Sequence, residues 1–162
     1  MAVTIENANL VRQKVKSALM NAHPVAQDAF ADLLKYLATQ GGNPDLQFIP
    51  FSDAQIIAST GYSPVGAACK FYGVYFKKSG TSGTGTATDS WLTIGNDASN
   101  VTDATKFVAL MTSANGDQVF ATYPAGLAFG TDLTISGETS AQDGTESTAG
   151  DSGNGFVIIG AA

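Results

Sequence analysis

Short apolar runs separated by turn residues dominate the chain from residue 70 onward. Residues 70–78 form a run that is apolar on both faces, because Phe71, Gly73 and Tyr75 alternate with Tyr72, Val74 and Phe76. A strand of this kind must be covered on both sides. Further strands are predicted at residues 90–95, 106–112, 118–123, 127–136 and 156–159. The pattern predicts a mainly β domain, an antiparallel β-sandwich of the jelly-roll kind.

Helical spacing replaces this alternation near the N-terminus. The first apolar stripe consists of small and medium side chains, Ala8, Val11, Val15, Ala18, Leu19 and Ala22, and Pro24 interrupts it. A second stripe follows, Ala26, Phe30, Leu33, Leu34 and Leu37. The narrow first stripe favours a seam between helices over burial under a sheet. A helical hairpin packed on its own sheet is the alternative.

These patterns divide the chain into three parts. Residues 1–44 are predicted to form an N-terminal α-helical arm, and residues 70–162 to form the antiparallel β-sandwich domain. Residues 45–69 connect them and contain large apolar side chains among prolines, such as Phe48, Phe51 and Ile56. We therefore expect an extended connector that lies over the β domain or over a neighbouring subunit.

Charge changes the picture mainly by its scarcity. Charged residues make up 14% of the chain, against about 25% in typical soluble domains. Low charge with many small residues suits a protein that covers much of its surface with copies of itself, and it also suits a compact extracellular β domain. The net charge of −6 falls entirely after residue 50, which disfavours nucleic acid as a partner.

Residues with catalytic or metal-binding chemistry are few. His23, the single histidine, precedes Pro24 at a helix junction and is expected to lie at the surface or cap a helix. Cys69 is the single cysteine, so we expect a buried thiol and no intramolecular disulfide. We predict no enzyme activity and no cofactor or metal. Calcium in the acidic stretch 138–151 is the weaker alternative to a solvated loop.

Targeting signals are also missing from the pattern. Residues 1–6 lack the charged start and apolar core of a signal peptide, and no apolar run approaches the roughly 18 residues of a membrane helix. We expect synthesis in a cytoplasm and no membrane partner.

Several segments resemble a small β-sandwich that is common in virion proteins of tailed bacteriophages. The resemblance rests on residues 73–80, Leu92-Thr93-Ile94, residues 123–130, residues 132–136 and the short apolar strand at the C-terminus. The resemblance covers about residues 70–162. This part of the chain is similar to the β domains of head decoration (cement) proteins and head fibres.

The resemblance implies a non-enzymatic virion structural protein, a homotrimer that binds the major capsid protein on the outer capsid surface and stabilises the head. Such a protein is made in the host cytoplasm. The predicted capsid or oligomer contacts are Val11, Arg12, Lys14, Val15, Lys16, Leu19, Phe30, Leu34, Phe48 and Phe51. The alternative is a receptor- or carbohydrate-binding module of a phage head fibre or tail, which an exposed Trp91 would favour.

Overall fold

The computed structural model describes residues 5–39, 46–56, 61–81, 90–98, 105–112, 116–138 and 151–162. Helices α1 (Ile5–Ala18) and α2 (Pro24–Thr39) come first, and the one-turn helix α3 (Asp53–Ile56) follows strand β1 (Gln47–Phe51). The remaining strands are β2 (Cys69–Thr81), β3 (Ser90–Gly95), β4 (Lys106–Thr112), β5 (Gln118–Phe129), β6 (Thr134–Glu138) and β7 (Asp151–Ala161).

The strands form two antiparallel sheets. Sheet A has the order β1-β7-β2-β5, and sheet B has the order β4-β3-β6. Their side chains share one hydrophobic core, which includes Phe71, Phe76 and Val157 from sheet A and Leu92, Ile94 and Ile135 from sheet B. The prediction of a mainly β chain built from antiparallel sheets is confirmed.

The strand pairs are nested inside one another along the chain. The first strand β1 pairs with the last strand β7, β2 pairs with β5, and β3 pairs with β4. Between β1 and β2, Tyr62 forms an isolated bridge with Ile135 of β6, with N–H to oxygen distances of 2.7 and 2.9 Å. This is the order that arises when a long antiparallel hairpin folds over on itself.

The two long helices pack on the outer face of sheet A. Val11, Val15 and Leu19 of α1 and Phe30 and Leu33 of α2 are buried in one cluster with four side chains of β2 and β7, namely Tyr72, Tyr75, Phe156 and Ile158. The preference for a seam between helices over burial under a sheet is therefore wrong for this stripe. The physical reason is that sheet A presents large apolar side chains on its outer face, and water would otherwise contact them.

Strand β2 is covered on both faces, as predicted, because every residue from Phe71 to Phe76 is buried. Its faces do not follow strict alternation, however. Phe71, Val74 and Phe76 lie in the core between the sheets, whereas Tyr72 and Tyr75 lie under the helices. A β-bulge between Phe71 and Gly73 shifts the register against both neighbouring strands and causes the change.

Strands β5 and β6 depart from the predicted bounds. The predicted strands at 118–123 and 127–136 are replaced by one long strand that passes through Pro124 to Phe129, and by β6, which starts at Thr134. The pairing of β5 with β2 skips from Thr122 to Leu127, and Gly126 in the excursion has φ +76°. An edge strand accommodates a proline and a bulge, because its outer N–H groups need no partner strand.

Strand β7 begins five residues earlier than the predicted strand at 156–159. That the arm, the connector and the β domain are separate units stays a prediction. In the structure, β1 of the connector is an edge strand of sheet A.

Candidate functional site

The apolar members of the predicted contact set contact other parts of the same chain. Four side chains of the helices are between 0 and 5% exposed in the cluster between the helices and sheet A, namely Val11, Val15, Leu19 and Phe30. Leu34 is partly buried and packs against the same cluster. Buried side chains contribute to a partner interface only if the helices detach from sheet A. Their assignment as capsid or oligomer contacts stays a prediction.

The two predicted contact residues of β1 lie on opposite faces of sheet A. The ring of Phe48 lies 4.7 Å from the ring of Phe156, on the helix side. Phe51 is buried between the sheets, with its ring stacked 6.2 Å from the ring of Phe76. These contacts tie the edge strand to the body of the sheet.

The basic members of the set remain at the surface. Arg12, Lys14 and Lys16 are exposed on α1, on either side of its buried stripe. Lys16 lies in the last turn, where the negative end of the helix dipole favours a cation. α1 therefore presents positive charge on the outside of a chain whose β part is acidic.

A second exposed surface lies on β4, an edge strand of sheet B. Phe107 is 47% exposed and Met111 is 49% exposed, and Ala109 between them is exposed as well. We call these three residues the β4 strip. The ring of Phe107 lies 4.8 Å from that of Phe129, which fixes one end of the strip against sheet A. Apolar strips on edge strands are sites of association.

Sequence reasoning did not find the β4 strip. Every residue from Phe107 to Met111 is apolar, so alternation alone does not tell which face of the strand turns outward. The signal that was present is the absence of any charge between Lys106 and Thr112.

Trp91 is partly buried and lies next to the strip. It is the cross-strand partner of Met111, so the two side chains share the outer face of sheet B. Its neighbour on that face, Thr93, is fully buried and bonds to the carbonyl oxygen of Ser136 through its hydroxyl at 3.4 Å. Trp91 is thus neither an exposed platform nor a core residue.

A groove opens at one corner of sheet A, next to the end of α1. We call it the α1–β7 groove, and its volume is about 290 Å³. It is lined by Asn21 after α1, Phe48 and Pro50 of β1, Asn154 and Phe156 of β7, and Lys77 of β2.

His23 caps helix α2, as predicted. The Nδ1 atom of its ring accepts a hydrogen bond from the backbone N–H of Val25 at 3.3 Å. Its backbone N–H donates a hydrogen bond to Oε1 of Gln118 at 2.8 Å. The same Gln118 oxygen also accepts a hydrogen bond from the Tyr75 hydroxyl at 3.0 Å. Gln118 therefore links the start of helix α2 to sheet A.

Cys69 is buried, 2% exposed, at the start of β2, as predicted. Burial, with a smaller contribution from the nearby negative charge of Asp132, raises the pKa of its thiol to about 11. A thiol with this pKa is protonated at neutral pH and is a poor nucleophile.

Asp132 anchors the connection from sheet A to sheet B. Its carboxylate accepts a hydrogen bond from the Ser63 hydroxyl, from the Gly66 N–H at 3.1 Å and from the Leu133 N–H at 2.7 Å. The side chain is 3% exposed. These bonds give the carboxylate a structural role.

Metal ligands do not converge in the part of the chain that the structure describes, which contains no group of three or more His, Cys, Asp or Glu side chains. The stretch 138–151, considered for calcium, lies almost entirely outside the described residues. The absence of enzyme activity stays a prediction.

Comparison of the chain with protein-family models, with curated proteins and with solved structures found no match. Among the residues that the structure describes, no helix is long and apolar enough to span a membrane.

Proposed function

We propose that this chain is a non-enzymatic structural protein of a tailed-bacteriophage particle. It acts as a decoration (cement) protein, a homotrimer that binds the major capsid protein on the outer surface of the head. Many such clamps stabilise a shell because multivalent attachment adds up modest individual contacts.

The proposal includes a jelly-roll sandwich, and the nested strand pairing supports it. A jelly roll has eight strands in two sheets, paired first with last and so on inward. Sheets A and B follow this order with seven strands, and the Tyr62–Ile135 bridge occupies the position of the remaining strand, next to β6. Virion proteins commonly use this fold, although fold alone does not decide function.

The observation that carries the self-assembly part is the β4 strip. Phe107 and Met111 keep about half of their surface exposed, whereas Leu92, Ile94 and Ile135 of sheet B are buried in the core. Strand β4 pairs with β3 on one side, and the described residues give it no strand on the other. Contact between β4 strips around a threefold axis would remove these side chains from water.

The shell contact is assigned to the helical side of the molecule. Arg12, Lys14 and Lys16 form the exposed positive charge of α1, and an acidic capsid surface would attract them. The N-terminal helices act in this proposal as the attachment segment, with their apolar stripe kept on sheet A.

The experiment is the mass of the purified chain in solution, measured by light scattering for the wild type and for Met111→Lys. We expect a trimer that the variant converts to monomer, because a lysine in the buried strip would lose its hydration. Val25→Lys, a change at a 57% exposed residue of α2, is the matched control and should stay trimeric. A wild-type monomer at micromolar concentration contradicts self-assembly.

The capsid part is tested by sedimenting the chain with empty capsids of the virus that encodes it. We expect the chain to sediment with the capsids, and we expect the double variant with Arg12→Glu and Lys16→Glu to sediment with them less. This result supports the proposal. Free chain at every capsid concentration contradicts it.

The alternative is a receptor- or carbohydrate-binding module of a head fibre or tail. Trp91 does not favour it, because the side chain is partly buried beside Met111.

A further inference from the structure

The α1–β7 groove exists because the helices cover only part of the outer face of sheet A. On that face, Phe156 of β7 lies opposite Tyr75 of β2, and both side chains are buried beneath the helices. The next pair toward the sheet corner, Asn154 and Lys77, is exposed. The groove lies at this boundary, where a covered apolar row meets an uncovered polar row.

The residues that line the groove are of two chemical kinds. Phe48 and Pro50 of β1 are apolar, and the ring of Phe48 lies 4.7 Å from that of Phe156. Asn21, Asn154 and Lys77 are polar and bring two amides and one ammonium group to the lining residues. The described lining of the groove contains a cation and no acidic side chain, in a chain with a net charge of −6. The charge of the residues that line the groove is therefore opposite in sign to the net charge of the chain.

A pyranose sugar matches this combination of apolar and polar residues. The apolar C–H face of a sugar ring packs on an apolar wall, and its hydroxyl groups exchange hydrogen bonds with amides, which both donate and accept. A carboxylate on the sugar would pair with Lys77 in a charge-assisted hydrogen bond. The groove volume of about 290 Å³ is just below the range of about 300–1,000 Å³ for small-molecule sites, which suits one sugar unit.

We propose that the α1–β7 groove binds the carboxylate-bearing terminal sugar of an acidic glycan. The inference does not depend on self-association, because the groove lies on sheet A and the β4 strip lies on sheet B.

The test is a titration of the full chain, labelled with ¹⁵N, with methyl glucuronide and with the uncharged methyl glucoside. We expect amide shifts confined to residues around Asn154 and Phe48, with a millimolar dissociation constant for the acid and weaker binding of the neutral sugar. Lys77→Gln should weaken binding of the acid about fivefold and leave the glucoside unchanged, because an exposed ion pair contributes up to about 1 kcal/mol.

Two further variants keep the test falsifiable. Lys35→Gln removes an exposed lysine of α2 and should leave both affinities unchanged. Asn154→Ala should weaken both sugars. All three positions are exposed, so an unchanged thermal midpoint verifies folding. Equal affinity for both sugars, or no effect of Lys77→Gln on the acid, overturns the inference, and so does the absence of saturable shifts.

Discussion

Gly153 and Gly155 alternate with Asn154 and Phe156 along β7, and the space beside both glycines is filled by aromatic rings of the core. A Cβ on Gly155 would lie 2.5 Å from Cζ of Phe51 and would collide with the carbonyl oxygen of Tyr75. The absence of a side chain therefore lets β7 lie under Phe51 while it pairs with both of its neighbours. Strand propensity alone places glycine outside strands, which is why the sequence predicted a later start for β7.

The residue-scale prediction concerns this close approach. Gly155→Ala should lower the free energy of unfolding by about 1–3 kcal/mol, because the backbone of Tyr75 cannot yield to an added methyl group. Gly130→Ala is the control, since a Cβ there meets nothing within 4 Å, and its effect should stay within about 0.5 kcal/mol. Urea unfolding followed by circular dichroism measures both. Equal midpoints for the two variants would refute the packing argument.

At the scale of elements, the helices act as the cover of sheet A. Phe30 of α2 is fully buried, with its ring 5.3 Å from the ring of Phe156 and 6.3 Å from that of Phe120. A Cβ on Gly73 of β2 would lie 3.0 Å from Cε1 of Phe30, so the same ring also fills the space above the bulge. One side chain of α2 thus contacts three strands.

Phe30→Ala should destabilise the protein by about 3–5 kcal/mol, because it leaves a cavity over β2, β5 and β7. Val25→Ala, five residues before Phe30 and 57% exposed, should change stability by less than about 0.5 kcal/mol. Thermal unfolding in the presence of a dye that binds exposed apolar surface tests both changes. A loss at Phe30 as small as that at Val25 would mean that the helices contribute little to the fold.

The sequence pattern predicted elements well where each has its own local signals. The bounds of β3 and β4 match the prediction, and α2 starts at Pro24, where proline is favoured in the first turn. The pattern failed where the pairing with neighbouring strands determines the local structure. The faces of β2 depend on a bulge, and β5 passes through Pro124 because none of the described strands pairs with its outer edge.

The candidate sites were predictable to a smaller extent. Lysine and arginine positions off an apolar stripe can be read as exposed, and Arg12, Lys14 and Lys16 are. The α1–β7 groove depends on which row of sheet A the helices leave uncovered, which is a tertiary property. Phe48 and Lys77 are far apart in sequence, and no local spacing links them.

At the scale of the whole molecule, β7 is the strand on which all layers depend. It pairs with β1 on one side and β2 on the other, and it places Val157 and Ile159 in the core between the sheets. Its other face places Phe156 and Ile158 beneath the helices. Strand β2 also contributes to both hydrophobic clusters, but β7 is in addition the strand that joins β1 to the rest of sheet A.

A chain that ends at Gly155 should fail to fold, because it loses all four of these apolar side chains and leaves β1 without its partner. A chain that ends at Gly160 loses two exposed alanines and should fold normally. Dispersion of amide resonances in nuclear magnetic resonance spectra distinguishes the two outcomes. A well-dispersed spectrum for the shorter chain would contradict the central role of β7.

The nesting of strand pairs has a consequence for how the protein is made. Strand β1 leaves the ribosome early, but its partner β7 is synthesised about a hundred residues later. Until then β1 and β2 lack β7, and the helices have no complete sheet to cover. Most of the chain must therefore wait in an incompletely folded state for residues 151–161, and its apolar strands are exposed to chaperones and to other nascent chains during that interval.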